Sequence, residues 1–454
     1  MAFLRIPPFP RHRAGPLLAP GTAEEDPQLV AQALVEERVG GAFWAPDNDP
    51  WAGRGDAGEC AMVDALRKGH GAEAIMAQGV PHDPFTGAPM GFVAAARMLG
   101  QWRRMIEDNR RIVAIFGIAG WKKATLDALL WNGMDVAYRR DGAGLKTGDH
   151  ALAWVARCGR GLAQDLSRRG VVLGEVEDGF IRSTGLGANC VPPLSVILDP
   201  MGSYIDPTRE NGLEAMLARG GFAPDILERA ARLRASLIAK GVSKYGAGGG
   251  VSLPPRTRRR VLVTGQVEDD RAVLLGGAGR DNRALLIRAR EIEPKAEILY
   301  RPHPDVEAGH RKGAIPDAEA LLYADRIERE APIASLLEQV DGLHVISSLA
   351  GFEGLLRGVE VVTHGQPFYA GWGLTRDLAP ALPRRGRVCS LDELVAATLI
   401  LYPRYLDPVT RLPCPVEILV ERMAQGQARI GGPLVWARMV QGRMRRLLGR
   451  RRVL

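Results

Sequence analysis

The sequence predicts an α/β protein with two Rossmann-like halves, and three observations carry the prediction. Short apolar runs alternate with amphipathic stretches of helical spacing from Arg110 onward. The alternation restarts after a Gly/Pro/Arg-rich segment at 246–260. Three polar clusters, Glu177-Asp178-Gly179, Arg301-Pro302-His303-Pro304 and Ser347-Ser348, each follow the end of a strand-like run. Ligands of open α/β sheets bind beyond the carboxyl ends of the strands, so the three clusters can meet on one substrate.

In the first half, strands are expected at 112–116, 136–139, 151–155 and 171–176, with helical stretches at 123–131 and 162–169. This reads as a parallel-sheet pattern. Two further helical stretches, 210–219 and 225–240, lead into the 246–260 segment, where a domain boundary is expected. The second half alternates strands at 261–264, 297–300, 343–346 and 359–363 with helices at 282–291, 333–340 and 351–357. The expected segments are 1–105, 106–250, 258–390 and 391–454, with a substrate cleft between the second and third. Asp83-Pro84-Phe85-Thr86-Gly87-Ala88-Pro89 is echoed by Asp407-Pro408-Val409-Thr410-Arg411-Leu412-Pro413, as though 1–105 were the end of a preceding module.

The 454 residues, 46% hydrophobic and 25% charged, suffice for two ordinary cores. Cys60, Cys158, Cys190, Cys389 and Cys414 are odd in number and never paired as Cys-x-x-Cys, which excludes a disulfide framework and a zinc module and suits a reducing cytoplasm. Pro7, Pro8 and Pro10 interrupt the N-terminal stretch before any apolar run, against a signal peptide. Of the net charge of +8, seven positives lie from Arg438 onward, leaving the body nearly neutral and excluding nucleic acid as a partner. Interleaved with Trp436, Met439 and Leu447, those arginines suit an anionic membrane surface or a solvated tail.

Each cluster carries its own chemistry. Glu177 or Asp178, followed by the turn-forming Gly179, can serve as a base toward an attacking hydroxyl. The downstream 180–187 loop, with Arg182 and Ser183, has the mixed composition of a ligand loop, and Gln266 opens a second one. Arg301 and the proline-flanked His303 can donate to a phosphate. Ser347 and Ser348 stand where a helix N-terminus would favour an anion, with Glu353 in reach of ribose hydroxyls. Asp269 and Asp270 supply a second acidic pair, as double displacement at an anomeric carbon requires. Dinucleotide and P-loop fingerprints are absent from the sequence, and the eight histidines are scattered, so no metal is expected.

With Gly120-Trp121-Lys122, Pro192-Pro193-Leu194-Ser195 and the segments 265–270, 347–358 and 366–375, these clusters resemble the capsule polysaccharide biosynthesis proteins that act as retaining β-Kdo transferases, the KpsC type, over residues 110–423. The resemblance implies a GT-B architecture: an acceptor-side domain at 106–250, a CMP-sugar-binding domain at 258–390, and C-terminal helices with a basic tail. It implies CMP-β-Kdo as donor, a Kdo-bearing glycolipid as acceptor, capsule assembly proteins as partners, no cofactor, and a peripheral position at the cytoplasmic face of the inner membrane. By similarity, Asp270 is the nucleophile and Glu177 the acceptor base. Arg301, His303, Ser347 and Ser348 contact the CMP phosphate, Glu353 the ribose, and Arg182, Ser183 and Gln266 form the substrate loops. Bacterial sialyltransferases have a similar motif set, so another CMP-sugar transferase and a non-catalytic export or scaffold component stand as alternatives. Relatives often read Asp-Ala-Ser-Ile where this chain has Asp270-Arg271-Ala272-Val273.

Overall fold

The computed structural model describes residues 3–41, 57–159, 161–184, 190–244, 246–247, 252–307, 309 and 311–428. The basic tail from Arg438 and residues 185–187 of the expected ligand loop lie outside them. The chain forms two compact units: Met1–Leu152 with Gly159–Val172 and Tyr405–Cys414, and Ala153–Cys158 with Leu173–Arg404 and Pro415–Leu454. Neither coincides with one of the four consecutive segments drawn from the sequence: the first unit joins 1–105 to the early part of 106–250 and takes in a late hairpin, and the second continues from within 106–250 through Arg404.

In the first unit, helix α1 (Phe92–Asn109) buries Phe92, Ala95, Ala96, Leu99, Trp102 and Ile106, a stripe at helical spacing. The Trp102 indole N–H, costly to bury unpaired, donates to the Pro413 carbonyl at 2.8 Å. Strand β1 (Ile112–Phe116) pairs in parallel with β2 (Tyr138–Arg139), and helix α2 (Gly120–Leu129) makes the crossover.

The internal echo is structural as well. Asp83 N–H donates to Ala88 O at 2.8 Å and Asp407 N–H to Leu412 O at 2.9 Å. Gly87 N–H donates to Asp83 O at 2.8 Å and Arg411 N–H to Asp407 O at 3.0 Å. Each Asp carboxylate accepts from the backbone two residues on, at 2.8 Å from Phe85 and 3.2 Å from Val409. The left-handed fifth position holds Gly87 at φ 74° in one turn and Arg411 at φ 61° in the other.

In the second unit, β3 (Val172–Asp178) pairs with β4 (Ser195–Asp199) through Glu175↔Asp199 and Asp178↔Val196. The pairing is antiparallel, which departs from the parallel pattern expected for this half. Gly179 serves space rather than a left-handed turn, since a Cβ there would overlap the Ser195 side chain.

The rest of this unit is organised by a six-stranded sheet of β5 (Arg260–Thr264), β6 (Glu297–Arg301), β7 (Arg326–Ile327), β8 (Gly342–Val345), β9 (Glu360–Thr363) and β10 (Arg376–Asp377). All its pairings are parallel, and the spatial order is β7-β6-β5-β8-β9-β10. This is the Rossmann order, with the strand sequence reversing direction between β5 and β8. Central parallel strands are covered on both faces, which is why Val261, Leu262 and Val263 form an unbroken apolar run, each 0% exposed. The one charge in β5, Arg260, is buried because Glu297 and the Pro254 carbonyl each accept from it at 2.8 Å. Helix α3 (Arg271–Gly276) follows the loop after β5. Helix α4 (Asn282–Ile292), capped by Asp281 on Ala284 N–H at 2.7 Å, packs Leu285, Leu286 and Ala289 onto Val261, Val263 and Ile298. Helix α5 (Leu349–Leu356) starts two residues earlier than the sequence predicts.

Candidate active site

The loops after β5 and β8 open together at the point where the strand order reverses, and a cavity of about 470 Å³ lies there. It is lined by Glu177, Asp178, Gln266, Asp270, Arg301, His303, Ser347, Ser348 and Glu353 among others, all within the second unit. Three segments far apart in sequence therefore reach one cavity. Arg182 and Ser183 are not on its wall: they are 1% and 0% exposed, respectively.

Gln266 and Ser347 clasp the two loops. Ser347 N–H donates to Gln266 Oε1 at 2.7 Å, Gln266 Nε2 donates to Ser347 Oγ at 3.2 Å, and Ser347 Oγ donates to the Ala272 carbonyl at 3.1 Å. Ser348 is the N-cap of α5, its Oγ accepting from Ala350 N–H at 3.2 Å. The positive end of that helix dipole, with Leu349 and Ala350 also on the wall, faces the cavity. Gly351 leaves room for Tyr369, whose hydroxyl a Cβ would overlap and which donates to the Ser348 carbonyl.

His303 sits between prolines after β6, and Asp305 N–H donates to its Nδ1 at 3.1 Å. A nitrogen that accepts carries no proton, so in the neutral ring the hydrogen is on Nε2. Burial pushes the imidazole below its ordinary value; Lys244 and Arg311 act the same way, while Asp305 and Asp270 oppose them. Near pH 7 His303 is thus a neutral Nε2–H donor. Arg301 donates to the Ala331 carbonyl, and burial lowers its value, with Glu328 and Glu353 opposing. Glu353, 7% exposed, accepts from Lys244 N–H at 2.8 Å. Burial raises its carboxyl above the usual range, against that bond and the attraction of Arg357, Lys244 and Arg301.

The acidic pairs separate by their partners. Asp269 Oδ1 accepts from Arg311 at 3.1 Å and its side chain is 44% exposed; desolvation works upward on it, but the bond and charge of Arg311 outweigh this and hold it low. Asp270 faces the cavity while its Oδ1 accepts from Ala272 N–H at 3.0 Å, capping α3. On β3, Asp178 Oδ2 is held at 2.8 Å by Arg182 Nε. The Arg182 guanidinium also bonds Ser183 Oγ at 2.8 Å and Val191 O at 2.9 Å, so it braces the wall from behind. Glu177 points to the opposite face of β3.

Sequence reasoning missed Tyr204, Lys244, Arg311 and Phe368, which also line the cavity. Tyr204 and Phe368 pack edge-on at 5.6 Å, and both rest on Phe180, at 4.6 and 4.7 Å. Phe368 lay within a quoted motif, but nothing in the spacing of Tyr204 or Arg311 marks either for the cavity.

Comparison with known proteins gives consistent matches. The family profile described as "Capsule polysaccharide biosynthesis protein" matches residues 225–405. The lipopolysaccharide-processing protein LpsZ of Rhizobium meliloti is 38% identical over 342 residues, covering 72% of this chain and 77% of LpsZ. The capsule polysaccharide modification protein LipA of Neisseria meningitidis serogroup A is 46% identical over 237 residues, 52% of this chain and 34% of LipA, so the match spans about a third of that protein. Among solved structures, the β Kdo 2,4 transferase of Thermosulfurimonas dismutans KpsC matches at TM-score 0.60 and 32% identity, over 69% of this chain and 98% of that one. The β Kdo 2,7 transferase of the same KpsC matches at 0.57 and 30%, over 69% and 99%.

Proposed function

Because the chain belongs to the capsule polysaccharide biosynthesis protein family, with KpsC-like relatives, we propose that it is a GT-B-type retaining transferase moving Kdo from CMP-β-Kdo to a Kdo-bearing glycolipid. The observation that carries this reading is the presence of two carboxylates, Glu177 and Asp270, in one cavity with an anion-binding set of Arg301, His303 and Ser348.

The chemistry follows from the protonation states. The α5 N-terminus, His303 Nε2–H and Arg301 donate to the CMP phosphate and stabilise it as it leaves, each charge-assisted bond contributing roughly 1.5–3 kcal/mol. Asp270, whose cap to Ala272 fixes one oxygen, attacks the anomeric carbon with the other. Glu177 then takes the proton of the acceptor hydroxyl as that oxygen displaces Asp270, and two inversions give net retention. Glu353 holds the ribose hydroxyls. The bond of Asp269 to Arg311 and its exposure favour Asp270 over it as the nucleophile. Arg301 and His303 supply the charge stabilisation, so turnover is expected to survive a metal chelator; its loss would assign part of that role to an ion.

The test is incubation of the purified protein with CMP-Kdo or with CMP-sialic acid and a Kdo-terminated lipid, following acceptor mass. A gain of one Kdo unit is expected; gain from CMP-sialic acid alone, or from neither donor, overturns the reading. No helix among the described residues is long and apolar enough to cross a membrane. The reading therefore assigns membrane contact to the tail from Arg438: removing it should abolish salt-sensitive binding to anionic vesicles and spare donor cleavage. Unchanged vesicle binding would reject the tail as anchor.

A further inference from the structure

Arg271, at the start of α3, is tied into a cluster of charges. Arg271 follows Asp270 directly, and its guanidinium bonds both oxygens of Glu175, Nη2 at 3.1 Å from Oε1. It lies 3.6 Å from Glu177 Oε1 and 3.7 Å from Asp206 Oδ2. Glu175, 3% exposed, is also paired with Arg209, which in turn lies 3.5 Å from Asp206. Glu175 and Glu177 stand two residues apart on β3 and so share a face. Three carboxylates, Glu175, Glu177 and Asp206, thus gather around two guanidiniums, Arg271 and Arg209. Removing Arg271 leaves Glu177 with no cation from α3 and Glu175 half compensated.

Asp270 and Glu177 sit on different elements, and Arg271 links them: it is joined covalently to one and electrostatically to the other. We infer that Arg271 is a positioning residue that sets the separation of these two carboxylates. The inference rests on the reading of Asp270 as nucleophile and Glu177 as acceptor base.

The two half-reactions separate its effect. In the first, the Asp270 carboxylate forms an ester bond to the anomeric carbon as the bond to phosphate breaks and CMP leaves. In the second, the acceptor oxygen forms the new glycosidic bond, its proton passes to Glu177, and the Asp270 carboxylate is released. Asp270 has anchors of its own, its cap on Ala272 N–H at 3.0 Å and its N–H on Val267 O at 3.0 Å. The first half-reaction therefore survives loss of Arg271. Glu177 loses a cation 3.6 Å from its Oε1, on the side of α3, so the second slows.

The experiment compares Arg271→Ala and Arg271→Lys in the full chain. Rapid-quench CMP release gives the burst, intact mass the Asp270 adduct, and steady-state acceptor gain the turnover. R271A is expected to keep a stoichiometric burst while turnover falls at least roughly tenfold and adduct accumulates. R271K, which keeps the charge but loses the fork, is expected to recover part of the turnover. Should R271A not fold, R271K alone must show the same pattern in milder form. Burst and turnover falling in proportion, or turnover unchanged, overturns the inference. A wild-type protein that transfers Kdo with no adduct on Asp270 overturns instead the reading beneath it.

Discussion

Asp270 combines two roles that substitution can separate. As N-cap of α3 it bonds Ala272 N–H, and as the proposed nucleophile it needs a charged oxygen. Asn caps as well as Asp but cannot form the ester, so Asp270→Asn is expected to melt within about 2 °C of wild type and to lose transfer by roughly a thousandfold or more. Asp270→Ala should lose about 1 kcal/mol of stability as well. Thermal denaturation with CMP-release kinetics checks both, and an active D270N removes the assignment. At this scale the sequence was legible where side-chain chemistry and chain position coincide: prolines around His303 announced a fixed loop. The tautomer was not legible, because it depends on Asp305 N–H folding back onto Nδ1. Arg182 was misleading for a related reason. Its polar, aperiodic surroundings suggest a ligand loop, whereas burial and the bond to Asp178 make it a brace.

Ser348 links a side chain to its helix. Its hydroxyl caps α5, and the dipole of that helix favours an anion in the cavity. Ser348→Asp keeps a competent cap but puts a negative charge where the reading puts phosphate. Stability is expected to hold while the donor KM rises by roughly a hundredfold, about 2.7 kcal/mol. Calorimetry and donor titration would measure the two effects, and unchanged donor affinity would move the phosphate away from α5. Strands β5, β6, β8 and β9 were legible as apolar runs because both faces are covered. Strand β4 was not, since its five residues follow a Pro-Pro pair and acquire meaning only through antiparallel pairing with β3. Helix α3 has six residues, too few to display a period.

Over the molecule as a whole, alternation and restart were enough to predict an α/β chain with a Rossmann-ordered sheet, and the strand-end rule indicated where to look for the site. Long-range charge partners, Arg271 with Glu175 above all, have no local signal. One buried pair in the sheet should set the acid limit of stability. His344 Nδ1 and His364 Nε2 are 3.0 Å apart, and the remaining ring nitrogens, His344 Nε2 and His364 Nδ1, are buried without a hydrogen-bond partner. Burial, aided by Arg376 and Arg259, pushes His344 down to about 4. Burial, aided by His344, Arg280 and Arg288, pushes His364 down to about 3. Above pH 6.5 neither folded nor unfolded chain binds these protons; below it the unfolded chain does first, so stability falls toward pH 4 by about 1.4 kcal/mol per unit for each ring. Urea denaturation at pH 7, 5.5 and 4.5 should show this slope and a shallower one in His364→Asn; equal slopes would clear the pair of that role.

The central strand of the six, β5, also governs the order of assembly. Its partners arrive late: Val261 meets Ile298 on one side and Gly342 on the other. Each contact closes a long loop before any reward is collected, which slows acquisition of the native state. The cavity wall needs the turns after both β5 and β8, so a nascent chain that ends before position 342 can have helices and a partial sheet yet lacks one side of that wall. The complete cavity therefore emerges in one late event, after the chain has joined both flanks of β5.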